Sequence, residues 1–510
     1  MSGGVLGGDL AAAEAAFAAS RGLFEQVSAR MQSVETGSLT HSQLEEVLGA
    51  DMREVTRQLY QDHLRLRELT EQRIEQVVDA AGRERTRIER GRRRILSTVF
   101  GKVTVGRIAY RGDAVPDLHP ADAALNLPAG MHSHGLAKQV AIEASRGSFA
   151  EAVERVNTLT GAGIGPRQAG ELTVAAAADI DDFYAALAPE PCTDATLLVM
   201  SADGKGVVIR PEALREATAR AAAAKGGNKL HKRLSAGEKN GRKRMATLGT
   251  VYDAEPAVRT ADDIIADPDT GEQDTTRRSK GPRARSKWLT GSVNDTCSQV
   301  ITAVFDQAEH RDPDHRRTWV ALVDGAPHQI DLINEQAAAR DVQVHIVIDI
   351  IHVLEYLWSA AHALHPGGSK DIEAWVARTA RTILAGDALT AAETITTAAT
   401  DAGIAPGQNK SIDDAVAYLT NKADYLRYDT ALAAGWPIAT GIIEGACRHL
   451  VKDRLDITGA RWGLAGAEAV LKLRALRTNG DFDTYWAWHE QQEYTRNHQA
   501  RYRNTLIPTA

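Results

Sequence analysis

Ala-Thr-Leu-Leu-Val-Met-Ser-Ala-Asp-Gly-Lys-Gly-Val-Val-Ile-Arg, residues 195–210, is an apolar run of strand length interrupted by an acid and two glycines. Ala195 to Ser201 reads as a buried strand that delivers Asp203 at its end, and Val207 to Arg210 reads as a second short strand. With Gly204-Lys205-Gly206 between them, the pattern predicts a hairpin with an acid at its tip. Downstream, Thr247 to Tyr252 has strand character and Ser292 to His310 has helical spacing. Thr318 to Val323 is another buried strand, running into Asp324-Gly325. A helix over Pro327 to Arg340 and a strand over Val342 to Ile348, ending in Asp349 and followed by His352, complete the order β-β-β-α-β-α-β. That order predicts a mixed sheet with helices packed on it, the first and fourth strands side by side.

Beyond Trp358 the chain is Ala/Thr-rich and helical to about Tyr428, with no strand signal. Residues 439–449 then read as a helix with Glu444 and, one turn on, Arg448. The intervening block, 359–435, looks like a helical insertion between the last strand and the helix that completes the sheet. Toward the N-terminus, apolar residues at helical spacing (Leu59, Leu64, Leu66, Leu69, then Val77 and Val78) predict a helical arm over 1–97. Alternation from Leu96 to Arg111 predicts a short β-hairpin. Helices follow over Gly135 to Ser145 and over Ser148 to Thr160, with Ser148 as N-cap, and Pro166 opens a third after a Gly-rich break. This is the layout of a helix-turn-helix, whose groove-facing residues would be Arg167 and Gln168. The expected organisation is therefore a helical arm (1–97), a hairpin plus helix-turn-helix-like region (98–190), a catalytic core (191–358 and 436–480) holding the helical insertion (359–435), and a tail (481–510).

The 510 residues are 43% hydrophobic and 25% charged, which excludes a largely disordered or collagenous chain. The most apolar stretch, Val342 to Trp358, is broken by Gln343, His345, Asp349, His352 and Glu355, so no membrane span is expected. No basic leader opens the sequence, and Cys192, Cys297 and Cys447 are too scattered for a disulfide framework or a zinc ribbon. A reducing cytosol is the expected compartment. Net charge is −7, yet the basic residues are concentrated. Seven arginines fall between Arg83 and Arg94, eight Lys or Arg between Lys225 and Arg244, and six between Arg277 and Lys287. Such islands in an acidic chain suit a polyanion gripped along defined tracks, because cations add affinity where phosphates lie. In the two later islands, Arg242, Lys243 and Arg244 are the candidates for clamping a DNA backbone, and both islands are expected to lack a place in the core.

Asp203 and Asp324 each stand where an apolar strand gives way to glycine, and Glu444 can reach them from the final helix. Three converging carboxylates repel one another unless a divalent cation lies between them, and oxygen ligands select Mg²⁺ or Mn²⁺. Two such ions about 3.5–4 Å apart would serve phosphoryl transfer. Arg448 and Lys452, four residues apart, share a helix face that can hold phosphates beside the ions. Trp436 and Trp462 are candidates to stack on an unpaired base, with core packing as the competing reading.

Four blocks carry a resemblance: Ser201-Ala-Asp-Gly-Lys-Gly-Val207, Trp319-Val-Ala-Leu-Val-Asp-Gly325, Asp349-Ile-Ile-His-Val-Leu-Glu-Tyr-Leu-Trp358 and Gly435-Trp-Pro-Ile-Ala-Thr-Gly-Ile-Ile-Glu-Gly445. In this order they resemble the signature blocks of DDE-type transposases of bacterial insertion sequences, most closely the ISKra group, over about residues 99–477. The resemblance implies a ribonuclease H-like mixed-sheet core with a helical insertion before the last acid, and DNA-binding helices ahead of the core. It also implies two Mg²⁺ ions held by a triad of Asp203, Asp324 and Glu444. Asp349 and His352 match an Asp-x-x-His motif of related enzymes, and two readings stay open for them: Asp349 replaces Asp324 as second acid and His352 touches the scissile phosphate, or both brace the site. The implied activity is cleavage at element ends and joining to target DNA, by a cytoplasmic, nucleoid-associated homodimer or larger assembly acting on double-stranded DNA. A ribonuclease H-fold nuclease without strand transfer, or a non-enzymatic helix-turn-helix regulator, are the alternatives.

Overall fold

The computed structural model describes residues 14–188, 195–224, 243–268, 279–365, 371–457 and 459–509. It is a mixed α+β protein that divides into two compact units, Met1–Ala185 with Asp481–Ala510, and Ala186–Gly480.

In the first unit, helices α1 (Ala18–Met31) and α2 (His41–Thr70) precede a three-stranded antiparallel sheet in the order β1-β2-β3. Its strands are β1 (Arg87–Thr98), β2 (Gly101–Gly112) and β3 (Val115–Leu118). A reciprocal capping box between Thr40 and Gln43 starts α2, and its Leu64 packs with Leu96, Val103, Val105 and Leu127 of the sheet side. The expected helical arm over 1–97 therefore gives way earlier: α2 ends at Thr70, and the first basic island lies largely on β1. The arginines there have no apolar periodicity of their own, so the backbone ladder with β2, from Arg87 opposite Arg111 to Thr98 opposite Gly101, decides their conformation. The hairpin is present but longer than the alternation from Leu96 indicated.

Helices α3 (His134–Arg146), α4 (Phe149–Thr160) and α5 (Pro166–Ala176) form as the sequence predicts. Ser148 and Glu151 cap α4, Gly161 ends it at φ +64°, and Pro166 occupies the first turn of α5. Leu136, Val140, Val156, Ile164 and Ala169 close a common core. The expected tail, 481–510, is instead a structural part of this unit. Its helix, Phe482–Asn497, buries Phe482, Tyr485, Trp486 and His489, and the Tyr485 hydroxyl donates to the Ala176 carbonyl at 2.7 Å.

The second unit is built on a five-stranded mixed sheet, order β6-β5-β4-β7-β8. Strands β4 (Leu197–Val208), β5 (Lys243–Ala254) and β6 (Ala284–Ser292) are antiparallel neighbours, while β7 (Trp319–Val323) and β8 (Val344–Ile348) run parallel to β4. The first and fourth strands read from the sequence are indeed adjacent. The hairpin is not there: β4 is one continuous strand, and Asp203 sits inside it opposite Leu248. Gly204 and Gly206 stay in the ladder because β5 runs beside them, and the space they leave is taken by Met245 and Lys243. A Cβ at Gly206 would lie 2.8 Å from the Lys243 side chain. Strand β6 was hidden in the third basic island. Its first residues are polar and exposed, and only Trp288 and Leu289 onward are mostly buried.

Helices α6 (Cys297–Arg311) and α7 (Pro327–Ala339) connect the later strands, and α8 (Ile350–Leu364) follows β8. The insertion is helical as expected, with α9 (Asp371–Leu384), α10 (Ala388–Asp401) and α11 (Lys410–Asn421). The chain returns through α12 (Gly441–Ala446), which widens into a π-helical turn at Cys447–Lys452, and then α13 (Leu464–Asn479). No helix among the described residues is long and apolar enough to cross a membrane.

Candidate metal-binding site

Strand register sets the level of the acids. Ser201 of β4 pairs with Leu322 of β7, and Val323 of β7 pairs with Ile348 of β8. Asp203 and Asp324 thus lie two residues beyond one pair, and Asp324 and Asp349 one residue beyond the other. Neighbouring strands are about 4.8 Å apart, so three carboxylate-bearing positions stand side by side at the end where ligands commonly bind in open sheets.

Each acid is oriented differently. Asp203 accepts the Gly204 N–H at 2.6 Å and the Cys447 thiol at 3.2 Å. Asp324 accepts the Ala326 N–H at 2.8 Å, and its carbonyl accepts the Tyr418 hydroxyl of the insertion at 3.0 Å. That contact needs the following Gly325, at φ +92°, because a Cβ there would meet the Tyr418 oxygen at 2.6 Å. Asp349 is wholly buried and caps α8, its Oδ1 accepting the Ile351 N–H at 2.9 Å. Its Oδ2 faces the His352 Nδ1 at 3.3 Å and receives the Thr440 hydroxyl. The same hydroxyl lies 3.1 Å from Glu444 Oε1.

Among the described residues, the acids and histidines whose ligand atoms all come within 4.8 Å of one another are Asp349, His352 and Glu444. The Asp-x-x-His pair, Asp349 and His352, thus joins Glu444, while Asp203 and Asp324 lie outside that set. Asp203 is tied to it through Cys447, three residues past Glu444. Burial, the Asp203 carboxylate and its hydrogen bond, and the Glu444 carboxylate push the Cys447 thiol well up, against a smaller opposing effect of Lys205. Tyr418 is likewise pushed up, by burial first and then by Tyr356, Asp324 and Asp349. Asp203 and Glu444 thus share Cys447 as a neighbour, and Asp324 and Asp349 share Tyr418.

The donor set suits a hard divalent cation. Thr440 has a single hydroxyl proton but faces carboxylate oxygens of both Asp349 and Glu444, so one of the two faces it without a donor. The two carboxylates suit Mg²⁺ or Mn²⁺ and the imidazole favours Mn²⁺ of the two, while the Nδ1–H that His352 donates to Asp349 fixes the ring with its Nε2 left over.

The remaining candidates separate. Arg448 and Lys452 are both exposed on the π-helical turn, a feature often found at functional sites. Arg167 is exposed and pairs with Glu171 at 3.0 Å. Gln168 is engaged: its side-chain oxygen accepts the Gly165 N–H at 2.9 Å, which makes it a cap of α5. Arg242, and most of the island around it, lies outside the described residues. Arg244 does not hang free as a backbone clamp, because its guanidinium donates to the carbonyls of Val293, Ala213 and Asn294. Lys243 lies 3.5 Å from Asp456. Trp462 is core, its Nε1 donating to the Leu455 carbonyl with Arg454 over its ring, and half-buried Trp436 lies 4.4 Å from the His345 ring. Sequence reading missed Thr440, Cys447 and Tyr418. Thr440 alone left a signal, standing one helical turn before Glu444. Compared with known proteins, the chain matches no family model and no curated protein.

Proposed function

We propose that this chain is a DDE-type transposase, cutting DNA at the ends of its own element and joining the 3′-hydroxyls to target DNA. The observation that carries this reading is the level placement of Asp203 within β4 and of Asp324 and Asp349 just past the ends of the adjacent parallel strands β7 and β8, with Glu444 within ligand distance of Asp349 and His352. Three antiparallel strands extended by two parallel ones, and a helical insertion ahead of the Glu-bearing helix, support a ribonuclease H-like core.

In this reading Asp349, His352 and Glu444 hold one Mg²⁺ or Mn²⁺, and Asp203 and Asp324 supply carboxylates for a second. Bound ions would neutralise charge on the scissile phosphate and lower the pKa of the attacking water or hydroxyl. Thr440 aligns the Asp349 and Glu444 carboxylates, Asp349 orients the His352 ring so that its Nε2 faces the ion, and Arg448 and Lys452 hold the flanking backbone. Double-stranded DNA is the substrate, and a homodimer or larger assembly would hold two ends together at the nucleoid.

The test is cleavage of the DNA that flanks the reading frame, with Mg²⁺ and the purified chain. Asp203→Asn, Asp324→Asn and Glu444→Gln should each lower the rate by several orders of magnitude while leaving DNA binding intact. Wild-type rates in all three variants would overturn the proposal.

A further inference from the structure

The first unit contains a polar cavity of about 220 Å³ between its antiparallel sheet and its C-terminal segment. Arg94, Arg107, His119, His498, Arg501 and Tyr502 are among its lining residues. None of them belongs to the metal-binding site, and the inference does not depend on the transposase reading.

Arg107 is the unusual group. Its residue is only 9% exposed, a setting in which a guanidinium normally has a full set of acceptors. Nε forms a close ion pair with Asp122 Oδ1 at 2.7 Å, at an angle poor for a hydrogen bond. Its Nη atoms donate to none of the described residues. Burial pulls its pKa down, and so do the neighbouring cations Arg94 and Arg92, against the attraction of Asp122. Arg94 is fixed at the cavity by the carbonyls of Pro128 and Gly130. Arg501 is exposed and has no acid within ion-pair distance among the described residues. The buried Tyr502 ring lines the same space, and its hydroxyl has no partner among the described residues.

Two acids also line the cavity, and they do not balance these cations. Asp117 lies 3.6 Å from Arg92 and 3.4 Å from Arg111, which leaves Asp122 alone against Arg94, Arg107 and Arg501. His119 and His498 add ring nitrogens, each with one nitrogen on a backbone carbonyl: Ile108 at 3.1 Å and Leu127 at 2.9 Å. The cavity thus has an excess of positive charge, several uncommitted donors, and room for roughly seven waters' worth of volume.

We propose that this cavity is a phosphate-binding site, taking a phosphate group with Arg107 and Arg501 as the charged donors and the Tyr502 hydroxyl as a neutral one. Planar guanidinium groups match phosphate oxygens in geometry as well as charge, and a bound phosphate would give acceptors to the Nη atoms of the buried Arg107. The phosphate comes either from a nucleic-acid backbone or from a small phosphate ester.

Calorimetric titration of the full chain with inorganic phosphate, in phosphate-free low-salt buffer, tests the site. Binding by the wild type is expected, with Arg501→Ala weakening it about tenfold or more and Tyr502→Phe weakening it several-fold, as loss of hydrogen bonds to a charged group predicts. Both positions permit a folded variant, since Arg501 is exposed and Phe keeps the ring, and thermal unfolding confirms this. A short duplex DNA that competes with phosphate in the wild type, with a salt dependence that flattens in Arg501→Ala, identifies the backbone as the source. Phosphate binding without competition identifies a small ester. No phosphate binding by the folded wild type, or equal binding by Arg501→Ala, would overturn the proposal.

Discussion

Cys447 presents its thiol to the Asp203 carboxylate at 3.2 Å, from the π-helical turn that directly follows Glu444. The contact joins the central strand to the turn that follows the Glu444-bearing helix. The thiol is raised above its ordinary 9.0, first by burial and then by Asp203. Such a group stabilises the fold fully below its ordinary value, and the contribution is lost as pH rises through the folded value. Wild-type stability should therefore fall more steeply than that of Cys447→Ser above about pH 9 in denaturant titrations. Parallel curves would remove the thiol from the account. In the native protein Cys447 should also resist thiol reagents at pH 8, reacting only in denaturant.

Thr440→Val tests the hydroxyl between Asp349 and Glu444. Without it the two carboxylates face each other with no proton between them, so the variant should need several-fold more Mn²⁺ for half-maximal binding than for its Ser counterpart. Titration of bound Mn²⁺ by electron paramagnetic resonance gives both numbers. Equal affinities for Thr440→Val and Thr440→Ser would show that the hydroxyl does not order the site.

Asp179 anchors the C-terminal helix of the first unit. It is buried, yet hydrogen bonds from Arg496 and His489 outweigh the burial and hold its carboxyl below the ordinary 3.8. A depressed carboxyl stabilises above its ordinary value, and that contribution is lost as pH falls through the folded value. Asp179→Ala should cost about 3 kcal/mol near neutral pH, leaving His489 and Arg496 without their shared acceptor, and the difference from wild type should shrink as pH falls below the carboxyl's ordinary 3.8 and through its folded value. A pH-independent difference would assign the cost to packing.

Truncation at Gly480 should unfold the first unit even though it removes only its last segment. The missing residues include the buried Tyr485 and Trp486 and both partners of Asp179. Loss of protease resistance in residues 1–185 is the readout, and an undisturbed proteolysis pattern would contradict it.

At the start of α5, Gln168→Ala should lower stability by about 1 kcal/mol, since a capping bond is lost, whereas Arg167→Ala should leave stability unchanged. If this unit reads DNA, Arg167→Ala should reduce binding to element ends more than to random duplex. Equal losses would make Arg167 a backbone contact.

The strands that position the acids were legible because they are buried on both faces and read as continuous apolar runs: Trp319–Val323 is buried throughout. Capped helices such as α4 were legible from a different, local signal, a Ser followed three residues on by Glu. Strands whose partners supply the order were not legible. Arg87–Thr98 and the start of Ala284–Ser292 are polar sequences made into strands by pairing, and Gly204 and Gly206 looked like a turn because the neighbouring Lys243 and Met245 are distant in sequence. At the site, acids next to glycine were visible in sequence. The grouping of Asp349 and His352 with Glu444 depends on Thr440, brought in by a fold-back across 91 residues.

Strand transfer at this acid-lined site is the proposed reaction, and one assay separates it from simple cutting. The most direct measurement incubates the full chain and Mg²⁺ with duplexes carrying pre-exposed 3′-hydroxyl ends from the DNA flanking the reading frame, together with a supercoiled target plasmid. A transposase should give joined products in which those 3′ ends are covalently linked to the plasmid, absent with Glu444→Gln and absent with chelator. Nicked or linearised plasmid with no joined ends, at protein concentrations that saturate the duplex, would contradict it and identify a nuclease instead.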